Sequence, residues 1–248
     1  MKTQAKVNIL GVSVDNLRFQ EALDQVFDLA RDGKKHYIVT PNPEIVVHAQ
    51  KDKKFLKILN KADLSIPDGI GLVWASKFLG QSLKERVAGV DLAEKICEES
   101  AKNAFTIGFL GGRSDVAEKA AECQKKKYSG LKVVFAKAGD FKKPLEHLDQ
   151  SIDILFVGYG FPKQEYWIEN FLEKSNVKVA MAVGGTLDYF AQKARRAPKL
   201  IQALGLEWLW RLTMEPWRIK RQFRLLEFIF LVIKTKFKTF HGETSVHE

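Results

Sequence analysis

The chain has 248 residues, 46% of them hydrophobic and 28% charged, with a formal net charge of +10. That length supports one large domain or two small ones with a sizeable core, and the composition excludes disordered, collagen-like and repeat classes. The charge is unevenly placed, with a net +3 over residues 1–191 and a net +7 over residues 192–248, so the last quarter needs its own explanation.

The opening run, MKTQAKVNILGVSV, is apolar but short, and Asp15 and Asn16 follow it with no small-residue cleavage site. It reads as a first strand and not as a signal peptide. A helix-period segment then covers Arg18–Arg31. Short apolar, β-branched runs follow at Tyr37–Thr40, Asp63–Ile66, Phe105–Leu110, Leu131–Ala136, Ile154–Gly158 and Val177–Val183. Further helical periods lie at Val90–Lys102, Ser114–Lys126 and Gln164–Lys174. Strands alternating with helices predict an α/β fold, a Rossmann-like parallel sheet with helices on both faces. Cys97 and Cys123 lack a CxxC or a His partner, which fits buried thiols in a reducing compartment. At QKARRAPK the alternation stops, dividing an α/β core, residues 1–194, from a helical basic appendage, residues 195–248. The apolar stretch Leu225–Ile233 falls short of the ~18–20 residues that span a bilayer, so a cytoplasmic protein is expected.

In parallel sheets of this kind ligands bind beyond the carboxyl ends of the strands. Here five strand ends run into Gly, Pro and polar residues: Thr40-Pro41-Asn42-Pro43-Glu44, Pro67-Asp68-Gly69, Gly111-Gly112-Arg113, Tyr159 to Glu165, and Gly184-Gly185-Thr186. No GxxxxGK[ST], no GxGxxG opening a first helix, no GxSxG, no DxD and no His pair at i,i+4 occurs. A tightly held catalytic metal is therefore not expected, and no cofactor is implied.

What remains is loop chemistry. Gly111-Gly112, and Thr186 after Gly184-Gly185, could bring backbone N–H groups to an anion, or serve only as turns needing positive φ. Asp68, stiffened by Pro67, is either the N-cap of the next helix or a general base facing the cleft. Thr40 and Asn42 offer neutral hydrogen bonds suited to sugar hydroxyls. Arg86 could meet a phosphate or form an ordinary surface ion pair.

The stretches Thr40–Glu44, Val47–Gln50, Ala62–Gly71, Glu85–Asp91, Leu110–Gly112 and Gly158–Glu165 together resemble the WecG/TagA/CpsF glycosyltransferases, in order from about Val7 to Arg224. The resemblance implies inverting, metal-independent transfer from a UDP-sugar to a polyprenyl-diphosphate-linked sugar at the inner membrane face. In TagA-like members the donor is UDP-N-acetylmannosamine and the acceptor is undecaprenyl-diphosphate-linked N-acetylglucosamine, in wall teichoic acid synthesis. By matching position Asp68 would be the base, with Thr40 and Asn42 beside it. Arg86 and Gln164 would hold donor or acceptor, and Gly111, Gly112, Gly185 and Thr186 would contact the nucleotide. Arg211, Arg218, Arg221 and Arg224 of the appendage would engage the diphosphate. Members self-associate through the core, which implies a homo-oligomer.

The appendage interleaves Trp208, Trp210, Trp217, Phe223, Phe228 and Phe230 with Arg and Lys. Such a helix suits an anionic membrane surface, which would make the protein peripheral on the cytoplasmic face. Docking on the core is an alternative for it, while the apolar Leu225–Ile233 argues against nucleic acid as a partner. Two other functions stay open from the residues alone: a soluble nucleotide- or phosphosugar-metabolising enzyme, and a non-catalytic membrane- or nucleic-acid-binding module.

Overall fold

A computed structural model describes residues 5–145, 150–203, 205–214 and 219–243, with side chains described except at 203, 211, 220–222 and 239–243. The N-terminal run is not one strand of the main sheet. It folds back on itself as an antiparallel hairpin, β1 (Lys6–Ile9) and β2 (Val12–Asp15). Its two-residue turn places Leu10 at φ 53° and Gly11 at φ 84°, the doubly positive pair that matches strand twist in tight hairpins. Apolar Val7, Ile9, Val12 and Val14 all face the core. Asp15 ties the hairpin to the sheet by accepting from the Ser65 N–H at 2.8 Å.

Helix α1 (Phe19–Arg31) leads into β3 (His36–Val39), followed by two helices that the periodicity did not single out, α2 (Pro43–Lys51) and α3 (Lys53–Lys61). Each is started by a side-chain cap. Asn42 Oδ1 accepts from the N–H groups of Glu44 and Ile45, and Asp52 from those of Lys54 and Phe55. Next come β4 (Leu64–Ser65), α4 (Ile70–Phe78), α5 (Gly89–Asn103), β5 (Thr106–Gly111), α6 (Val116–Lys127), β6 (Lys132–Lys137), β7 (Ile152–Gly158), α7 (Lys163–Phe171), β8 (Val177–Ala182) and α8 (Thr186–Phe190).

Six strands form one parallel sheet in the order β4-β3-β8-β7-β5-β6. Strand β7 is buried on both faces, as a central parallel strand should be. Ile154 and Phe156 enter the core shared with α1, α5 and α6, whereas Leu155 and Val157 pack with Trp167 and Ile168 of α7. Of the two cysteines, Cys97 is buried as expected, but Cys123 is half-exposed, and both are free thiols.

After residue 191 only helices follow among the described residues: α9 (Lys199–Ala203), α10 (Glu207–Met214) and α11 (Ile219–Glu243). Helix α11 packs on α2 and α4. Phe228 and Val232, both fully buried, enter the same core as the hairpin and α2. Its other face is an apolar stripe left in solvent: Ile219, Phe223, Leu226, Phe230, Ile233 and Phe237. Their spacing of four, three, four, three and four residues keeps them on one side of a 3.6-residue helix, opposite Phe228. No described helix is long and apolar enough to cross a membrane.

Candidate active site

The strand order decides where a site can form. Strands β3 and β4 lie on one side of the central β8-β7 pair, and β5 and β6 on the other. The loops leaving the carboxyl ends therefore gather into two adjoining cavities, which share Gly160, Gly184 and Gly185.

The cavity beside β3, β4 and β8 has a volume of about 440 Å³. Thr40, Asn42, Asp68, Arg86, Gln164, Gly185 and Thr186, all named from the sequence, line it. Asp68 is held there by backbone, not by a cap. Its own N–H donates to the Pro41 carbonyl at 3.0 Å, and Gly69, at φ 113°, is the residue that precedes α4. The carboxylate accepts from the Gly89 N–H at the start of α5, so a helix N-terminus faces it. A Cβ at Gly89 would lie 3.3 Å from Thr40 Cγ2 and 3.5 Å from Asp68 Oδ2. Three loops thus meet closely, and a Cβ here would crowd the Thr40 methyl. Asp68 makes no ion pair among the described residues, and burial pushes its carboxyl up to about 6, against the opposing pull of Arg86 and the Gly89 N–H. A half-buried carboxylate titrating there is suited to accept a proton near neutral pH.

Its neighbours are fixed to different degrees. Thr40 Oγ1 donates to the Ala182 carbonyl at 3.0 Å, which stitches β3 to β8 at the cavity floor. Asn42 spends its oxygen as the α2 cap. Gln164 is only 2% exposed; its Oε1 accepts from the Gly184 N–H, and its Nε2 donates to Glu165, both at 2.9 Å. Glu165 is fully buried, its Oε2 has no hydrogen-bond partner among the described residues, and burial pushes its carboxyl up to about 7. Thr186 Oγ1 donates to the Val183 carbonyl at 2.8 Å.

The second cavity, about 800 Å³, opens beyond β5, β7 and β8. Gly112 lines it, whereas Gly111 lines neither cavity. The part of Gly111 is close approach, since at φ 104° its Cβ would fall 2.8 Å from the Gly158 carbonyl carbon. Arg113, Lys163 and Lys193 bring positive charge to this cavity beside Asp140 and Asp188, and Phe141 and Tyr159 bring rings. None of these side chains was singled out from the sequence, although Lys163 sits inside the GFPKQE loop.

The appendage arginines divide. Arg224 donates to Glu44 at 2.6 Å and lies 5.6 Å over the Phe161 ring, engaging two residues that line the smaller cavity. Arg211 lies in α10 and Arg221 in α11, with side chains outside the described atoms, and Arg218 lies outside the described residues. Glu207 and Trp208 of α10 also line the smaller cavity, a contribution that the sequence pattern did not announce.

The family model described as "Glycosyl transferase WecG/TagA/CpsF family" matches residues 7–242. The chain belongs to the WecG/TagA/CpsF family of glycosyltransferases. It is similar to the N-acetylglucosaminyldiphosphoundecaprenol N-acetyl-beta-D-mannosaminyltransferases of Staphylococcus aureus strains MRSA252, MW2 and NCTC 8325. Each is 32% identical over 245 residues, covering 94% of both chains. Membership in the WecG/TagA/CpsF family makes the protein an enzyme, which sets aside the reading as a non-catalytic binding module.

Proposed function

We propose that the protein transfers N-acetylmannosamine from UDP-N-acetylmannosamine to N-acetylglucosamine carried on a polyprenyl diphosphate, with inversion and without a metal ion. The observation that carries this reading is the Asp68 carboxylate, held by the Gly89 N–H with no ion-pair partner among the described residues, inside a cavity lined by hydroxyl, amide and guanidinium groups. In the proposed step Asp68 takes the proton of the acceptor hydroxyl. The hydroxyl oxygen attacks the anomeric carbon, and the sugar–phosphate bond breaks with its electron pair leaving on UDP. A departing diphosphate needs positive charge and not a second carboxylic acid. Arg113, Lys163 and Lys193 in the adjoining cavity support a nucleotide site there. The names of the Staphylococcus aureus relatives support the choice of sugar and acceptor.

The exposed stripe of α11 supports a location on an anionic membrane surface. Phe223 at 67%, Phe230 at 62% and Phe237 at 60% exposure would otherwise hold large apolar area in water, and Lys234, Lys236 and Lys238 lie along the same segment. The acceptor lipid would reside in that surface, on the cytoplasmic side where nucleotide sugars are found.

The test is transfer of radiolabelled sugar from UDP-N-acetylmannosamine to a prenyl-diphosphate N-acetylglucosamine, with the product anomer assigned by NMR. A β-linked disaccharide formed in the presence of chelator supports the reading. Absence of transfer with this pair, or an α-linked product, contradicts it.

A further inference from the structure

The charge around Asp68 is set partly from outside the sheet. Glu207, the first residue of α10, is only 14% exposed at its side chain and sits between two guanidiniums. Arg86 Nη2 donates to its Oε2 at 3.1 Å, and Arg196 Nε donates to its Oε1 at 3.2 Å. Arg196 also bonds to Asp91, donates to Gln202 Oε1 at 3.0 Å and lies 5.9 Å over the Tyr189 ring. The other terminal nitrogen of Arg86 donates to the Gln202 carbonyl at 3.4 Å, and its Nε is buried without a partner among the described residues. Arg86 thus makes its hydrogen bonds to the appendage, while Asp68, a neighbour on the same cavity wall, keeps no ion pair among the described residues.

We propose that Glu207 is a positioning residue for the catalytic base: by taking up the Arg86 guanidinium it keeps the Asp68 carboxylate out of an ion pair and free to accept the acceptor's proton. The proposal rests on the reading of Asp68 as that base. A carboxylate paired with arginine holds its proton less readily and is a weaker base. Arg86 and the Gly89 N–H act on Asp68 in that direction, while burial, Glu207 and Asp91 act against it. Glu44, also on the cavity wall, is paired with Arg224. Neutralising Glu207 removes one negative charge and releases Arg86, and both changes make Asp68 more acidic.

The experiment measures transfer by the full chain as a function of pH for the wild type, Glu207→Gln, Glu207→Asp and Arg196→Lys. Thermal melts run alongside, and Arg196→Lys loosens the same cluster without removing the Glu207 charge. The wild type is expected to lose activity on acidification through an apparent pKa of about 6. Glu207→Gln is expected to lower kcat roughly twofold to threefold and to move that acidic limb downward by about half a pH unit. Glu207→Asp restores the limb, and Arg196→Lys lowers thermal stability without moving it. If Glu207→Gln loses activity with its limb unmoved, the proposal is overturned. Should Glu207→Gln fail to fold, limbs unmoved in both Glu207→Asp and Arg196→Lys support it, and a limb moved downward by Arg196→Lys overturns it. A wild type without an acidic limb, together with full turnover by Asp68→Asn, overturns the base reading itself and the proposal with it.

Discussion

Arg224 of α11 donates to Glu44 of α2 at 2.6 Å, joining the long C-terminal helix to the first turn after the Thr40–Asn42 loop. The pair sits at the surface, with the arginine side chain 43% exposed. Ion pairs of that exposure contribute about 1 kcal/mol or less. Burying a phenylalanine such as Phe228 contributes about 1.5–3 kcal/mol, and its loss leaves a cavity besides. Docking of α11 therefore rests on Phe228 and Val232, while Arg224 orients the helix over the loop that carries Asn42.

Phe228→Ala is accordingly expected to destabilise the fold by about 3–5 kcal/mol, and Arg224→Gln by about 1 kcal/mol or less. Urea denaturation of the two variants checks this. Equal losses would mean that the helix is held by charge.

Gly89→Ala tests the close meeting of three loops. The backbone there suits any residue, so stability should change little. The new methyl, in ordinary contact with Asp68 at 3.5 Å, lies only 3.3 Å from the Thr40 methyl and must push Thr40 aside by a few tenths of an ångström. Displacements on that scale are expected to lower kcat roughly tenfold. Steady-state kinetics with a parallel thermal melt separates the two effects.

Glu165 gives a pH-dependent stability with a definite sign. Its folded-state carboxyl lies at about 7, above the ordinary value of 4.5, because it is buried. The folded protein therefore holds a proton that the unfolded chain releases, and stability falls as pH rises between those values. Comparing thermal melts at pH 5 and pH 8, Glu165→Gln should lose less stability on going to the higher pH than the wild type does. An identical fall in both would show that Glu165 does not titrate in the folded state.

On the outer face of α11, Phe223→Ser with Phe230→Ser should reduce cosedimentation with anionic vesicles several-fold and leave the melting temperature unchanged, since both rings are already in solvent. Unchanged vesicle binding would assign the stripe to contacts between copies of the chain, which sedimentation velocity would detect.

Much of this was legible in the chain before any coordinates. The six strands of the sheet were visible because parallel strands buried on both faces read as unbroken apolar runs, as Ile154–Gly158 does. Their polar ends marked the cleft because polar, Gly- and Pro-rich loops have no place in a core. The hairpin at Lys6–Asp15 was missed because Leu10 occupies a turn position at φ 53° that usually falls to Asn or Gly. The cap made by Asn42 and the pocket use of Thr40 look alike in sequence, since both need a short polar side chain after a strand. Glu207 was hidden for a different reason. Its meaning comes from Arg86, 121 positions earlier, and in a basic tail a lone glutamate reads as part of a solvated face. The amphipathic period of the tail was clear, but its second apolar face, opposite Phe228, emerged only once docking had consumed the first.

The proposed transfer depends above all on Asp68 as its base. The most direct measurement compares single-turnover transfer by the wild type and Asp68→Asn, using UDP-N-acetylmannosamine and a prenyl-diphosphate N-acetylglucosamine, with UDP binding measured on both. Asp68→Asn is expected to transfer about 10²–10⁴-fold more slowly, with UDP affinity and fold unchanged. Turnover by Asp68→Asn at the wild-type rate would contradict it.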